Sequence, residues 1–224
     1  TDGCFTLGAS VGAVVAISGH PYLAIPAAMG AGILSGFVTA FLQTKMGIDS
    51  LLAGIIVNTG LYSVNIAVMG KSSILNMNTT ETVFTKIKGL LSGTPLESTY
   101  KLLVALFLGL FLRTRLGLAI RATGNNPDMV RSSSINTVFT TIIGLCIANS
   151  FTALSGCLLA QSQKSVNIDI GSGMVTIALA SLLIGSAFFG KKKMPLRIFG
   201  MVLGAFLFRF VYTVALRFDM GRPR

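Results

Sequence analysis

The chain has 224 residues, of which 52% are hydrophobic and only 11% charged, with a formal net charge of +11 and a mean hydropathy of +0.77. An ordinary soluble domain carries about 25% charged residues, so this composition excludes a solvated globular fold and makes lipid the surrounding medium. The positive excess would point to nucleic acid in a soluble protein, but the cations lie in short connections between apolar runs, where anionic lipid head groups are the expected partner and nucleic acid is not.

A membrane-crossing helix needs about 20 mostly apolar residues. In chain order such windows are Phe5–Ser18, Tyr22–Leu42, Leu51–Val68, Tyr100–Leu112, Val138–Ala160, Met174–Phe189 and Leu196–Leu216. The expected fold is all-α: one polytopic transmembrane helical bundle over residues 1–224, with about seven spans at that window length. Phe5–Ser18 and Tyr100–Leu112 are short enough to be broken or re-entrant. Thr1 is not a methionine, Asp2 stands where a secretory signal has Lys or Arg, and Gly221–Arg224 closes no element. Both ends are therefore expected to continue in a longer protein.

Cytoplasmic loops carry the excess of Lys and Arg. Placing Lys45 inside puts the polar loop 113–136 inside, with Arg113, Arg115, Arg121 and Arg131, and also Lys191, Lys192, Lys193 and Arg197. The loop 70–98, with Glu81 and Glu97, falls outside, and Arg217, Arg222 and Arg224 are exceptions to the rule. Gly8 and Gly12, Gly32 and Gly36, and Gly200 and Gly204 are pairs four residues apart that predict close helix packing.

Chemistry-bearing motifs are few. Gly185–Lys192 approaches a phosphate loop, but Lys192 stands where Ser or Thr must hold magnesium and no strand precedes it. Cys4, Cys146 and Cys157 lie in or beside apolar stretches and His20 is the single histidine, so neither a zinc site nor a disulfide framework is expected. No nucleophile has a base nearby in sequence, and the chain is read as a non-enzyme with no bound cofactor.

The loop 113–136 is the informative interruption. Asn126 suits a helix cap, Pro127 its first position and Asp128 the positive end of its dipole. A helix starting there can run only to about Ser134, too short to be stable alone. It is either a solvated surface turn or a docked one, with Met129 and Val130 as apolar contacts and Arg131 as a charged one.

Arg121-Ala122-Thr123-Gly124-Asn125-Asn126-Pro127 followed by Ser134-Ile135-Asn136 resembles the cytoplasmic loop of the branched-chain amino acid and monosaccharide permease family of bacterial ABC importers. Asp2–Ala9, Ala153–Gln161 and Ile177–Gly185 resemble its glycine-rich approach to a span and its later spans, so the likeness covers about Asp2 to Asp219. The nearest likeness is to the amino-acid subgroup, aromatic amino acids included. Ser186 departs from the pattern, because relatives often carry an acidic residue there, and the Glu-Ala-Ala start of other importers' coupling loops is only loosely kept.

The resemblance implies a permease subunit in the bacterial inner membrane. It implies cytoplasmic ABC ATPase subunits that bind the ATP, an extracytoplasmic solute-binding protein, and a second permease copy as a homodimer. It makes Thr123, Gly124, Asn125, Asn126, Pro127, Asp128, Met129, Val130, Arg131, Ser134 and Ile135 the ATPase-coupling loop. It also nominates Phe5 and Thr6 as path-lining residues.

Polar groups at membrane depth are costly and face a cavity or another helix. Asn58, Tyr62 and Asn65 share one face of Leu51–Val68, and Asn149 and Thr152 form a second patch. Substrate contact and interhelical hydrogen bonding explain them equally well. Arg209 is either a ligand for a substrate carboxylate or a snorkelling cation. The rival functions are an ion-coupled secondary transporter, weakened because no central span carries Asp, Glu or His, and a membrane scaffold, which has no use for the polar face.

Overall fold

The computed structural model describes residues 1–77, 107, 109–133, 135–189 and 194–220. Three long helices open the chain: α1 (Asp2–Ile17), α2 (Pro21–Lys45) and α3 (Ser50–Val68). Strand β1 (Ile74–Asn76), helices α4 (Arg115–Asn125), α5 (Pro127–Ser132) and α6 (Thr137–Gln163), and strand β2 (Ser165–Asn167) follow. A 3-10 turn (Ile168–Gly171) then leads into helices α7 (Met174–Phe189) and α8 (Met194–Met220).

Polar residues outside the apolar runs start the helices by accepting orphaned backbone N–H groups. The Asp49 carboxylate accepts from Leu51 N at 2.9 Å, and Asn136 accepts from Phe139 N at 3.2 Å. Four described stretches are long and apolar enough to cross a membrane: Pro21–Lys45, Ser50–Val68, Thr137–Gln163 and Ile168–Ala187. Asp2–Ile17 and Ile198–Val214 are shorter apolar helices. Six of the expected spans thus coincide with described helices. Tyr100–Leu112 lies mostly outside the described residues, as do most of the loop 70–98 and Lys191, Lys192 and Lys193.

With lipid as solvent, helices associate by close packing rather than by escape from water. Gly32 and Gly36 of α2 lie on α6 so closely that a Cβ at Gly32 would sit 2.6 Å from Asn149 O, and one at Gly36 2.7 Å from Cys146 Cα. A Cβ at Gly8 would fall on the backbone of Ala153, and one at Gly156 on the Phe5 carbonyl. Two glycines predicted to pack do so again in the α7–α8 hairpin, where Gly200 meets Gly185 and Gly204 meets Ser181. Gly185, the first glycine of the phosphate-loop lookalike, is therefore a packing residue inside a helix.

These contacts fix directions. Gly8 lies at Ala153 and Gly12 at Cys157, so α1 and α6 run parallel, whereas Gly32 lies at Asn149 and Gly36 at Cys146, so α2 runs the other way. Lys45 and the segment 113–136 therefore share one end of the bundle, as the charge pattern predicts. α1 is the centre of the bundle. Cys4, Ala9, Ala13 and Ala16 are fully buried, and α2, α3 and α6 surround it. Leu34, Phe37 and Phe41 of α2 and Leu51 and Ile55 of α3 face outward.

One feature departs from an all-α chain. β1 and β2 pair antiparallel, Leu75 opposite Val166, and the ladder is extended by Met77 N donating to Lys164 O at 2.8 Å and Ile168 N to Ser73 O at 3.0 Å. Met77 and Val166 are fully buried beneath the ends of α1 and α6. Lys71 and Lys164 precede the strands in left-handed backbone, with φ of 63° and 54°.

Candidate functional site

Two regions gather the predicted residues. The first is a polar layer near the middle of α3 and α6, where α1 begins. Gly3 N of α1 donates to Asn58 Oδ1 of α3 at 2.5 Å. One peptide further along the same face, Asn65 Nδ2 donates to Gly3 O at 3.2 Å. Asn58 and Asn65, two turns apart, thus grip a single residue of α1 between them.

Asn149 is buried against the same turn: its side-chain amide donates to Leu145 O within α6, and its main-chain carbonyl accepts from the Cys4 thiol. Phe5 and Thr6 are buried too, with the Thr6 hydroxyl turned to the Asp2 carbonyl at 3.4 Å. The Thr152 hydroxyl bonds to Ala148 O of its own helix. Of the predicted path residues, only Asn58 and Tyr62 are exposed, Tyr62 by 49%. In this conformation the polar layer is therefore a helix-to-helix clamp with one exposed edge. Arg209 is exposed on α8 between exposed Phe206 and Phe210, the setting of a snorkelling side chain.

The same layer holds a carboxylate that pattern reading does not place in the membrane. Asp2 Oδ1 accepts from Val175 N at 2.9 Å, capping the start of α7. Asp2 precedes the apolar run Phe5–Ser18 and lies level with the middle of α6, because α1 runs alongside only the later half of that helix.

The second region is the loop end of α6. Thr114 starts α4 by accepting from Gly117 N at 3.3 Å, and the Ile120 side chain fills the space left by Gly144 of α6. Arg115–Asn125, part of the expected polar loop 113–136, is a helix. The spacing Leu116, Ala119, Ile120 and Thr123, behind a Thr cap, was the available signal.

At the expected place, Asn126 Oδ1 accepts from Asp128 N at 3.1 Å and Met129 N at 3.2 Å, and α5 begins. Val130 is only 4% exposed whereas Met129 is 69% exposed. The reading that both supply outward apolar contact is therefore corrected: Val130 is spent inward and Met129 alone faces out. Arg131 is likewise tied back, its Nε donating to Thr137 Oγ1 at 3.3 Å. Gly124, Asn125, Asp128 and Ile135 are exposed, Thr123 bonds within α4, and Ser134 lies outside the described residues.

Among the described residues, no group of three or more His, Cys, Asp or Glu side chains is placed to hold a metal ion. A bundle of long apolar helices joined by paired polar groups, with a braced helix pair at one end, defines a multi-pass membrane protein. Residues 1–219 match the family described as branched-chain amino acid transport system, permease component, and the chain belongs to that family.

The chain is 34% identical over 98% of its length to a tyrosine transport system permease protein of Clostridioides difficile (strain R20291), covering 73% of that protein. It is 32% identical over 84% of its length to a Rickettsia prowazekii (strain Madrid E) protein, covering 66% of it. It is 27% identical over 88% of its length to a D-allose transport system permease protein of Escherichia coli (strain K12), covering 64% of it. No solved structure matches the chain.

Proposed function

We propose that the chain is the permease subunit of an ATP-driven importer in a bacterial inner membrane, translocating an amino acid or similar small solute by alternating access. ATP is bound and hydrolysed by cytoplasmic partner subunits, an extracytoplasmic protein delivers the solute, and two permease copies form the pathway. The observation that carries this reading is α5: a six-residue helix capped by Asn126, braced by Val130 and Arg131, with Met129 left outward. So short a helix is stable only when packed on something, and its outward face is the surface an ATPase would grip. Residues 123–131, with Ser134 and Ile135, make up the coupling loop, in which Val130 and Arg131 brace the helix and Met129 faces the ATPase.

The amino-acid solute is favoured by the higher identity to the tyrosine permease than to the allose permease, 34% against 27%. One observation favours the ion-coupled alternative, the mid-depth carboxylate of Asp2, but its Oδ1 is engaged by Val175 N. Uptake by proteoliposomes containing this permease decides between the two. The expected result is uptake only with the ATPase, ATP and the binding protein present. Uptake driven by a proton or sodium gradient alone would overturn the reading.

A further inference from the structure

The described helices form two tightly packed groups. α1, α2 and α6 are locked by the contacts of Gly8, Gly32, Gly36 and Gly156, with α3 held on α1 where Gly3 lies against Asn58 and Leu61, and α7 and α8 are locked by the contacts of Gly185 and Gly204. Substituents on the locking glycines would strike backbone, so neither group has slack inside it. Among the described residues the two groups are joined through the 3-10 turn, which lies against both α1 and α7. At that junction Gly171 is pressed on the Asp2 carbonyl and the Thr6 hydroxyl, and Asp2 Oδ1 accepts from Val175 N at 2.9 Å. Between them stands Gly173, with φ of 77° and nothing within 4 Å of where a Cβ would be.

We propose that the Asp2 cap on α7 is a mid-membrane latch, and that the α7–α8 hairpin swings about Gly173 as a unit when the latch opens. The proposal rests on the transport reading above and adds the moving part. Three features support it. First, the start of a helix keeps unsatisfied N–H groups and partial positive charge, so a carboxylate there stabilises it. Second, rigid groups joined by a few residues move by changing the φ and ψ of the joint, and Gly173 has a backbone conformation other residues rarely adopt. Third, the same turn of α1 that supplies Asp2 is gripped by Asn58 and Asn65 through Gly3, so the fixed half of the latch is itself anchored to α3. Asp2 acts as a positioning residue: it sets which hairpin orientation predominates.

The test is a distance measurement in the assembled transporter, permease with its ATPase in nanodiscs. Spin labels at Tyr62 of α3 and Leu183 of α7, both exposed, are introduced with Cys146→Ser, since Cys4 and Cys157 are fully buried. One distance is expected without nucleotide and a second after trapping with ATP and vanadate. Asp2→Ala removes the cap and is expected to shift the nucleotide-free population toward the trapped distance about five-fold, the factor that a typical cap represents. Asp2→Asn keeps an acceptor and is expected to restore it. Per mole of folded protein, Asp2→Ala changes the maximal uptake rate and leaves the half-saturating binding-protein concentration unchanged. An unchanged distance on trapping overturns the latch, as does an Asp2→Asn variant indistinguishable from Asp2→Ala. Failure of the wild-type assembly to take up any solute with ATP instead overturns the transport reading itself.

Discussion

Gly36 and Gly30 lie on the same helix and predict opposite outcomes for the same substitution. A Cβ at Gly36 would lie 2.7 Å from both Cys146 Cα and Leu145 O, whereas one at Gly30 would meet nothing within 4 Å. Carbon atoms rest at about 3.5–4.0 Å, so Gly36→Ala forces α2 and α6 apart by about 1 Å. Overpacking of this kind costs about 1–3 kcal/mol. Exchanging Gly for Ala inside a helix returns about 1 kcal/mol. Taking the middle of the range, Gly36→Ala is destabilising by about 1 kcal/mol and Gly30→Ala stabilising by about 1 kcal/mol. For a chain of this size each kcal/mol moves the melting temperature by about 2–4 °C, so the two variants should melt about 4–8 °C apart on either side of wild type. Gly32→Ala combined with Gly36→Ala should cost less than the sum, because one displacement of α2 relieves both clashes. Thermal unfolding in detergent, followed by size-exclusion chromatography of the remaining folded protein, reads all four. If Gly36→Ala melts at or above Gly30→Ala, the α2–α6 seam is not as close as described and the argument fails.

Asn126→Ala removes the acceptor for two N–H groups at the start of α5, a loss of about 1 kcal/mol; ATP-dependent uptake should fall while membrane content is kept, and Asn126→Asp should retain uptake. Met129→Glu changes an outward side chain and should weaken capture of the ATPase in a pull-down without moving the melting temperature, whereas Val130→Asp should lower that temperature because it buries an unpaired charge. Equal effects of the two on melting would refute the assignment of inward and outward faces. Asn65→Ala deletes a hydrogen bond to Gly3 O that, between membrane helices, is worth about 0.6 kcal/mol and at most about 1.7. Its expected signature is a lower melting temperature with the maximal uptake rate preserved, and a loss of uptake with unaltered melting would make Asn65 a transport residue instead.

The spans were legible because lipid exposure imposes composition directly. Tyr22–Leu42 and Val138–Ala160 were read from apolar content, and the helices run further, Pro21–Lys45 and Thr137–Gln163, because their last turns are polar and extend past the apolar run. The Asn126-Pro127 start was legible because capping is a local event between neighbours in sequence. What escaped was contact between residues far apart in sequence. Nothing near Asp2 announces Val175, and nothing in Ile74–Asn76 announces Ser165–Asn167, since three-residue strands carry no usable periodicity. Asn58 and Asn65 were recognised as a polar face, but the choice between solute and helix contact depended on the depth of Gly3. That depth follows from the parallel packing of α1 on α6, a tertiary fact. Met129 and Val130 are adjacent and equally apolar, and only the angle at which α5 leaves α4 separates their roles.

The ribbon also imposes an order of events. Between Asn76 and Ser165 lie 88 residues, 165 − 76 − 1, which a ribosome adds in about 4–18 s at roughly 5–20 residues per second. During that interval β1 waits with Ile74, Leu75 and Met77 unpaired. Its partner arrives only when the later end of α6 is delivered to the face of the membrane where α3 ended. A chain that inserts α6 upside down leaves Ser165–Asn167 across the bilayer from β1, both strands without their hydrogen bonds and Met77 uncovered. Closure of three residue pairs is in this sense a proofreading step, completed only by chains whose topology is correct.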